Sequence, residues 1–305
     1  MLILSISLNG FGQSYNFSFI DSFALSVGKA DSLSIPQLTY LLTDRFKDPV
    51  LKTRAIYTWI ANNISYDCPA FHSASKRKAE PKDVFRLRKA VCEGYSNLFM
   101  EMCNHAQVMC LTIDGYARNG SEVIGEELKE PNHTWNAVRI GEEWKMIDVT
   151  WASGYTDKNV RSFTPEFSDA YFFADPYKFL LNHYPKLDSW KPLRAKISKK
   201  EFSEIATILE GYFRFELSAF TPKRGRIKAK LNEQINLSFK SSKSEQINTV
   251  TVVAGEGKTR QMIKSSLDIN NGIVSIFFSF DKIGSHILTV YVNNNATLKY
   301  QMDIQ

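Results

Sequence analysis

The hydrophobic pattern of this chain changes near residue 215, and this change limits the fold more than any other feature. Before that point, apolar residues recur at helical spacing in several segments. After Phe215 the helical period disappears, and short alternating or β-branched runs follow one another with Gly, Asn and Ser between them. Short strands at intervals of roughly 8–12 residues are typical of a β-sandwich. The clearest runs are residues 235–239, 249–254, 273–280 and 286–292.

The earlier part of the chain predicts helices packed on an antiparallel sheet, an α+β arrangement. Two helices are expected over residues 33–64, where Asp48 is a good N-cap and Pro49 occupies the first helical position. A third helix is expected over residues 92–106. Strands are expected at residues 110–118, 133–140 and 143–151.

The length of 305 residues predicts two domains, since a domain typically holds roughly 100–200 residues. We expect the first over residues 20–210 and the sandwich over residues 215–305, with a linker near residues 210–222. No apolar run approaches the roughly 18 residues that a membrane-spanning helix needs. An integral membrane protein is therefore not expected.

The net charge of +6 is concentrated in the last third of the chain. Residues 216–305 hold 12 Lys/Arg against 7 Asp/Glu, a net of +5. The basic excess suggests either a solvated edge or a surface for an anionic cell-envelope polymer. The sequence contains no basic motif interleaved with aromatic residues, so it does not indicate nucleic-acid binding. The basic cluster consists of Lys223, Arg224, Arg226, Lys228 and Lys230.

The first residues resemble an export signal. Residues 1–8 are nearly all apolar, no charge occurs before Asp21, and residues 10–12 have the small-residue spacing of a cleavage site. The basic n-region is missing, so a buried strand or an ordinary disordered N-terminus is the alternative. We expect a candidate export signal at residues 1–13 and a secreted or periplasmic protein.

The four cysteines, at positions 68, 92, 103 and 110, form no C-x-x-C pair, and no histidine lies at zinc-finger spacing from them. Cys103 and Cys110 are expected in the core, and Cys68 is a weak candidate for a second thiol near a cleft. No metal and no cofactor is predicted.

Three short stretches carry a cysteine, a histidine and an aspartate in the order that a thiol nucleophile requires. A free thiol has a pKa near 8.5, and the dipole of a helix N-terminus, worth roughly 0.3–1 kcal/mol, shifts it by about one unit at most. A larger shift requires a cation, which His133 supplies as an imidazolium, while Asp148 fixes the ring and stabilises its charge. The stretches are residues 91–95, 133–136 and 148–151.

The spacing also places His133 next to Asp148. If Gly141-Glu142 forms a two-residue turn, paired residues have numbers that sum to 283. His133 and Asp148 are then diagonal neighbours on one sheet face, with α-carbons about 7–8 Å apart. A slip of one residue would put them on opposite faces.

These stretches resemble the transglutaminase-like superfamily, whose members share a papain-like Cys-His-Asp site. The resemblance covers roughly residues 35–195. The motifs that follow, at residues 171–176 and 183–190, are similar to those of the kyphoscoliosis-peptidase and cytokinesis-protein subgroup. That subgroup usually has Gln-Leu-Leu after its tryptophan, and here Lys191-Pro192-Leu193 follows Trp190.

The resemblance implies a transglutaminase-like core followed by an immunoglobulin-like sandwich. It implies Cys92 as nucleophile, His133 as base, Asp148 as the group that orients the base, and the Cys92 backbone N–H as one oxyanion donor. For the second donor, Tyr66, Trp59 and His72 remain open. We expect the substrate to contact Trp135, Trp151 and Tyr66. The sequence contains no EF-hand loop, so it does not suggest calcium dependence.

The sequence thus predicts thiol-dependent acyl chemistry on a peptide or protein amide, as a peptidase, amidase or transglutaminase. One alternative is a catalytically silent module that binds polypeptides in its cleft. Another is that the basic C-terminal domain is the main functional part and binds the anionic cell-envelope polymer.

Overall fold

The computed structural model describes residues 15–193 and 195–305, so the candidate export signal at residues 1–13 lies outside the described residues. The first domain begins with three helices, two of which correspond to the pair predicted over residues 33–64. Their ends follow local rules: Ser34 and Gln37 form a capping box, and the Asp48 carboxylate accepts from the Val50 N–H at 2.8 Å. The helices are α1 (Ser18–Ser26), α2 (Ile35–Thr43) and α3 (Pro49–Asn63).

A short region of helical turns leads from α3 to the next long helix. It includes a two-residue parallel pair, in which β1 runs alongside β2. The helix that follows begins at Cys92, as predicted. The elements are β1 (Ser65–Tyr66), α4 (Cys68–Phe71), a 3₁₀ turn (Ala74–Lys76), α5 (Pro81–Leu87), β2 (Lys89–Ala90) and α6 (Cys92–His105).

The first domain is built on a five-stranded antiparallel sheet with the strand order β8-β5-β4-β3-β9. The strand predicted over residues 143–151 is shorter than expected. It ends at Ile147, and Asp148 instead caps a helical turn. The elements are β3 (Cys110–Ala117), β4 (His133–Ile140), β5 (Glu143–Ile147), α7 (Val149–Ala152), β6 (Gly154–Thr156), β7 (Phe163–Pro165), β8 (Phe172–Ala174), α8 (Pro176–Phe179) and β9 (His183–Pro185).

Helix α6 packs on this sheet and is also hydrogen-bonded to it. The Ser96 hydroxyl donates to the Thr134 carbonyl at 3.0 Å, and the Asn136 amide donates to the Ser96 carbonyl at 3.1 Å. A Cβ on Gly94 would lie 2.7 Å from the Cβ of Ala90, so only glycine permits this close approach. The start of α6 is therefore held beside the start of β4.

The C-terminal part is a sandwich of two sheets, as the strand pattern predicted. One sheet has the order β10-β19-β18-β14-β15, with β12 also on β19, and the other has the order β11-β13-β17-β16. Side chains such as Leu237, Ile276 and Val290 fill the space between them and are buried. The elements are α9 (Lys199–Glu204), β10 (Thr207–Ile208), α10 (Glu210–Arg214), β11 (Leu217–Thr221), β12 (Arg226–Ala229), β13 (Ile235–Ser241), β14 (Val250–Ala254), β15 (Gln261–Ile263), β16 (Ser265–Asn270), β17 (Ile273–Phe278), β18 (Gly284–Val292) and β19 (Asn295–Ile304).

The junction between the two parts is structured. The segment predicted as a linker near residues 210–222 forms α10 and β11, and β10 pairs with β19 of the sandwich. The buried guanidinium of Arg118, at the end of β3, donates to the carbonyls of Phe202 and Ile205 and to the hydroxyl of Thr207, at 2.7–2.9 Å. The two parts therefore pack against each other and are not joined only by a flexible linker.

No helix within residues 15–193 and 195–305 is long and apolar enough to cross a membrane.

Candidate active site

The predicted nucleophile, Cys92, occupies the first position of α6. The N-cap residue is Val91, which has no side-chain oxygen to accept from the first-turn N–H groups. These groups have no partner within the helix, and they carry the positive end of its dipole. Cys92 is half-buried, in contrast to the other three cysteines, which are buried.

The predicted base and acid are in contact. Nε2 of His133 lies 2.7 Å from Oδ2 of Asp148. The β4–β5 pairs run from Asn136↔Ile147 to Ile140↔Glu143, which is the register with sums of 283 that the sequence predicted. The turn at Gly141, which has a φ of 60°, sets this register.

Asp148 is completely buried and accepts four hydrogen bonds. Oδ1 accepts from the backbone N–H groups of Thr150 and Trp151 at 2.9 and 3.0 Å, because Asp148 is the N-cap of α7. Oδ2 faces His133 and, at 3.1 Å, the Nε2 of His183. The carboxylate is thus fixed by its own helix cap and by two imidazole rings.

His183 is the residue of this cluster that the sequence does not predict, because no motif links it to Asp148. It starts β9, at the edge of the sheet, and only 1% of its surface is exposed. The ring stacks on Phe179 at 3.9 Å and lies 4.4 Å from the Trp151 ring. The motif His183-Tyr184-Pro185 is visible in the sequence, but it lies far from Asp148 along the chain, and no local pattern predicts that the two residues are in contact.

The comparisons with known proteins show what this part of the chain is similar to. Residues 36–149 match the model of the transglutaminase-like superfamily, a span that contains all three predicted catalytic residues. The chain contains a transglutaminase-like domain.

Three relatives extend this result. Mouse kyphoscoliosis peptidase is 34% identical over 152 residues, which is 50% of this chain and 23% of that protein. Hillarin of Drosophila melanogaster is 26% identical over 215 residues, which is 66% of this chain and 26% of that protein. Cytokinesis protein 3 of Schizosaccharomyces pombe is 21% identical over 139 residues, which is 44% of this chain and 15% of that protein. The subgroup predicted from the motifs is confirmed, and the match spans about a quarter or less of each relative.

In this transglutaminase-like domain, the electrostatics favour a thiolate on Cys92 paired with an imidazolium on His133. Burial of Cys92 raises the pKa of its thiol, but the hydrogen bond and the charge of His133 outweigh burial and lower it overall. Burial likewise lowers the pKa of His133, but the Asp148 carboxylate outweighs burial and raises it to about 10. Because Nε2 of His133 faces Asp148, Nδ1 is the nitrogen left for the sulfur.

The two histidines on Asp148 are in opposite charge states at neutral pH. Burial and the nearby His133 cation lower the pKa of His183 to about 4, so this ring is neutral. A neutral ring that donates from Nε2 to Asp148 has a bare Nδ1. This atom lies 2.7 Å from Oδ1 of Asn182, while Nδ2 of Asn182 is buried without a partner among the described residues. Amide oxygen and nitrogen are assigned from their hydrogen-bond partners, and exchanging the two atoms would let Nδ2 donate to Nδ1.

The same three side chains form a cluster with the composition of a metal site, since their ligand atoms lie within 4.8 Å of one another. Two ligands bound to zinc at about 2.0–2.1 Å with a tetrahedral angle are about 3.3 Å apart. The 2.7 Å between His133 and Asp148 is shorter than this. The contacts therefore fit hydrogen bonds, and the spacing of His133 and Asp148 does not fit two ligands of one zinc ion.

The structure separates the three candidates for the second oxyanion donor. Trp59 is in the core, and its Nε1 donates to the Gly28 carbonyl at 2.7 Å. His72 contacts the carbonyls of Asn159 and Val160, both at 3.1 Å. Tyr66 is partly exposed, and burial together with the charge of Cys92 raises its pKa, so its hydroxyl stays protonated near the thiol. Tyr66 is the candidate that remains.

Of the three predicted substrate contacts, one is corrected. Trp135 is only 2% exposed and packs against Phe179 and His183, so it supports the site from within the core. A Cβ on Gly115 would lie 2.4 Å from the Trp135 ring, so this packing needs glycine. Trp151 is partly exposed, with its ring 5.3 Å from that of His133, and its role and that of Tyr66 as substrate contacts stay predictions.

The other cysteines differ from Cys92 in their surroundings. Cys103 and Cys110 are buried and adjacent, as expected for core residues, and burial raises the pKa of Cys103. Cys68 is also buried, and burial raises the pKa of its thiol. Among these four thiols, Cys92 is the one whose surroundings favour the thiolate.

Proposed function

We propose that the chain is a thiol-dependent acyl-transfer enzyme that acts on amides of peptides or proteins. The observation that carries this proposal is the hydrogen bond of the Cys92 thiol, on a half-buried residue at a helix N-terminus, with a buried His133–Asp148 pair. The pair supplies the cation that the helix dipole alone cannot replace.

The geometry supports the following sequence of bonds. The Cys92 thiolate attacks the carbonyl carbon, and the oxyanion that forms is stabilised by the Cys92 backbone N–H and the Tyr66 hydroxyl. The C–N bond then breaks, the His133 imidazolium gives its proton to the leaving amine, and a thioester remains. Water or a primary amine attacks the thioester, passes a proton to His133, and releases the thiolate.

The nucleophile is tested by alkylation with iodoacetamide near pH 7, followed by peptide mass mapping. We expect faster labelling at Cys92 than at Cys103, and a loss of this advantage in His133→Ala. Equal and slow labelling of both cysteines in the wild-type protein would contradict the proposal. Cys110→Ser is the matched control, because it alters a buried thiol outside the site.

The acceptor is tested with a glutamine-peptide library, with and without an added primary amine. Deamidation replaces the amide NH₂ by OH, cleavage gives two shorter peptides, and crosslinking replaces the released ammonia by the added amine. Cys92→Ala should give none of these products. Because hydrolysis needs only water, we favour a peptidase or amidase over a transglutaminase.

A second candidate function is a catalytically silent module that binds polypeptides. The observation that favours it is the burial of His133, of which only 8% is exposed, since a covered base cannot reach a leaving group without movement. Peptide binding that is unchanged in Cys92→Ala, together with slow alkylation of Cys92, would support the silent module.

Two further expectations remain proposals. The export signal predicts that the mature protein begins after residue 13, which mass spectrometry of the protein from its native source would test. The binding of an anionic cell-envelope polymer predicts retention at low salt and release at high salt. The full chain is the material to use, because β10 lies outside a fragment of residues 215–305 and yet pairs with β19.

A further inference from the structure

A recess of about 520 Å³ lies on the first domain, beside the loop that follows α1. Its walls carry three cationic side chains and one carboxylate, so its formal charge is positive. The guanidinium of Arg88 lies 4.0 Å over the ring of Phe85 and 4.9 Å over that of Trp59. The lining residues are Lys29, Asp31, Phe85, Arg86 and Arg88.

Arg88 is only partly satisfied by the protein. Its Nη2 donates to the carbonyl of Lys29 and lies 3.3 Å from Oδ1 of Asp31, which is itself 74% exposed. Nη1 is buried and has no hydrogen-bond partner among the residues that the structure describes. A buried donor without an acceptor is unfavourable, and this one belongs to a cation.

The electrostatics of the recess point the same way. Burial lowers the pKa of Arg88, and the interactions with Asp31 do not compensate for it. Arg86 is 68% exposed at the rim, and its contact is Asp83, 3.3 Å away on the same helix. The recess therefore holds more positive charge than its own carboxylate balances.

The backbone of Arg88 gives an independent indication that its side chain is needed here. Arg88 ends α5 in the left-handed conformation, with φ 55° and ψ 28°. This position strongly favours glycine, because a side chain makes the conformation unfavourable. An arginine at a glycine-favouring position is best explained by what its guanidinium contacts.

We infer that this recess binds a small organic oxyanion, a phosphate- or carboxylate-bearing molecule held by the cationic side chains of Arg88, Arg86 and Lys29. Arginine suits such a group because its planar fork of N–H donors matches both oxyanions. The exposed cations of Lys29 and Arg86 would attract the ligand, and the ring of Phe85 would contact its apolar part. The volume is within the roughly 300–1,000 Å³ typical of ligand pockets.

The test measures thermal stability and calorimetric binding of the full chain with inorganic phosphate, phenyl phosphate and benzoate, against chloride at equal ionic strength. We expect a saturable rise in Tm with at least one oxyanion. Arg88→Gly suits the backbone while removing the guanidinium, and should weaken binding by at least about 10-fold. Arg86→Gln should weaken it less, and Lys228→Gln, which removes a charge from the sandwich, should leave it unchanged.

The arms of the experiment separate the outcomes. If the phosphates bind more strongly than benzoate, the ligand is a phosphate compound, and if benzoate binds more strongly, it is a carboxylate. Absence of saturable binding with all three probes, or equal binding by wild type, Arg88→Gly and Arg86→Gln, would overturn the inference. Cys92→Ala should bind as wild type does, so this result is independent of the proposed acyl chemistry.

Discussion

At the scale of the residue, the site is organised around one buried carboxylate. Asp148 contacts a histidine that is cationic and another that is neutral, and the difference follows from their positions. His133 lies between Asp148 and the thiol, whereas His183 contacts the same carboxylate oxygen and packs against the rings of Phe179 and Trp151. We assign His183 as a positioning residue, because it acts on the reacting groups through Asp148.

This assignment predicts the effect of replacing His183. His183→Phe keeps a flat ring against Phe179 but removes a donor from a buried carboxylate, a hydrogen bond worth about 1.5–3 kcal/mol. We expect about 10-fold slower alkylation of Cys92 at pH 7 and an altered pH profile. His183→Gln, which can still donate to Asp148, should recover part of the rate; equal rates in both variants would argue for a purely packing role.

The pKa values of the thiol and its partner predict two different pH profiles. Alkylation of Cys92 should rise with pH through a midpoint below that of a free cysteine and then stay level, since the thiolate persists. Turnover should fall again as pH rises through about 10, because His133 loses the proton that it gives to the leaving amine. The ion pair of His133 with Asp148 follows the same direction. It stabilises the folded protein fully below the ordinary histidine pKa, and this stabilisation is lost as pH rises through about 10.

Rates of iodoacetamide labelling and of turnover between pH 5 and 11 would check this prediction. In His133→Ala the labelling midpoint should move upward. A midpoint that does not move would show that the imidazole has no influence on the sulfur.

At the scale of the element, helix α6 determines where the thiol lies. Its apolar side, with Tyr95, Leu98 and Phe99, is buried as its spacing predicted. Its distance from the neighbouring segment, however, depends on Gly94, and its rotation depends on the hydrogen bonds of Ser96 with β4.

Gly94→Ala tests this dependence, because two effects of opposite sign compete. Helix propensity alone would favour alanine by about 1 kcal/mol. The new Cβ would lie 2.7–2.9 Å from Ala90, Val84 and the Lys78 carbonyl, so we expect a lower Tm and slower labelling of Cys92. Asn104→Ala, at an exposed position of the same helix, is the control, and a higher Tm for Gly94→Ala would mean that the neighbours yield easily.

At the scale of the whole molecule, the two parts are joined by packing and by strand pairing. One buried apolar cluster contains Trp135 and Phe179 of the first domain together with Phe213 and Leu237. The rings of Tyr171 and Phe213 are 5.6 Å apart across the junction. The face of the first-domain sheet that carries Trp135 therefore shares a buried cluster with the sandwich.

This continuity predicts a single cooperative thermal transition for the full chain. Arg118→Met removes the hydrogen bonds to Phe202, Ile205 and Thr207, and we expect it to separate the calorimetric peak into two and to increase proteolysis near residue 205. Arg139→Met, at an exposed position of β4, is the control. Two resolved peaks in the wild-type protein would contradict the shared cluster.

The sequence by itself determined the features that depend on near neighbours. The helix starts at Asp48 and Cys92 and the register set by Gly141 are local patterns, and these predictions are confirmed. The catalytic roles of Cys92, His133 and Asp148 stay predictions. Only the tertiary structure decided that Trp135 is in the core, that His183 meets Asp148, and that β10 joins the sandwich sheet. The physical reason is distance along the chain: these contacts join segments whose separation is set by packing, and periodicity, capping and turn geometry carry no information about it.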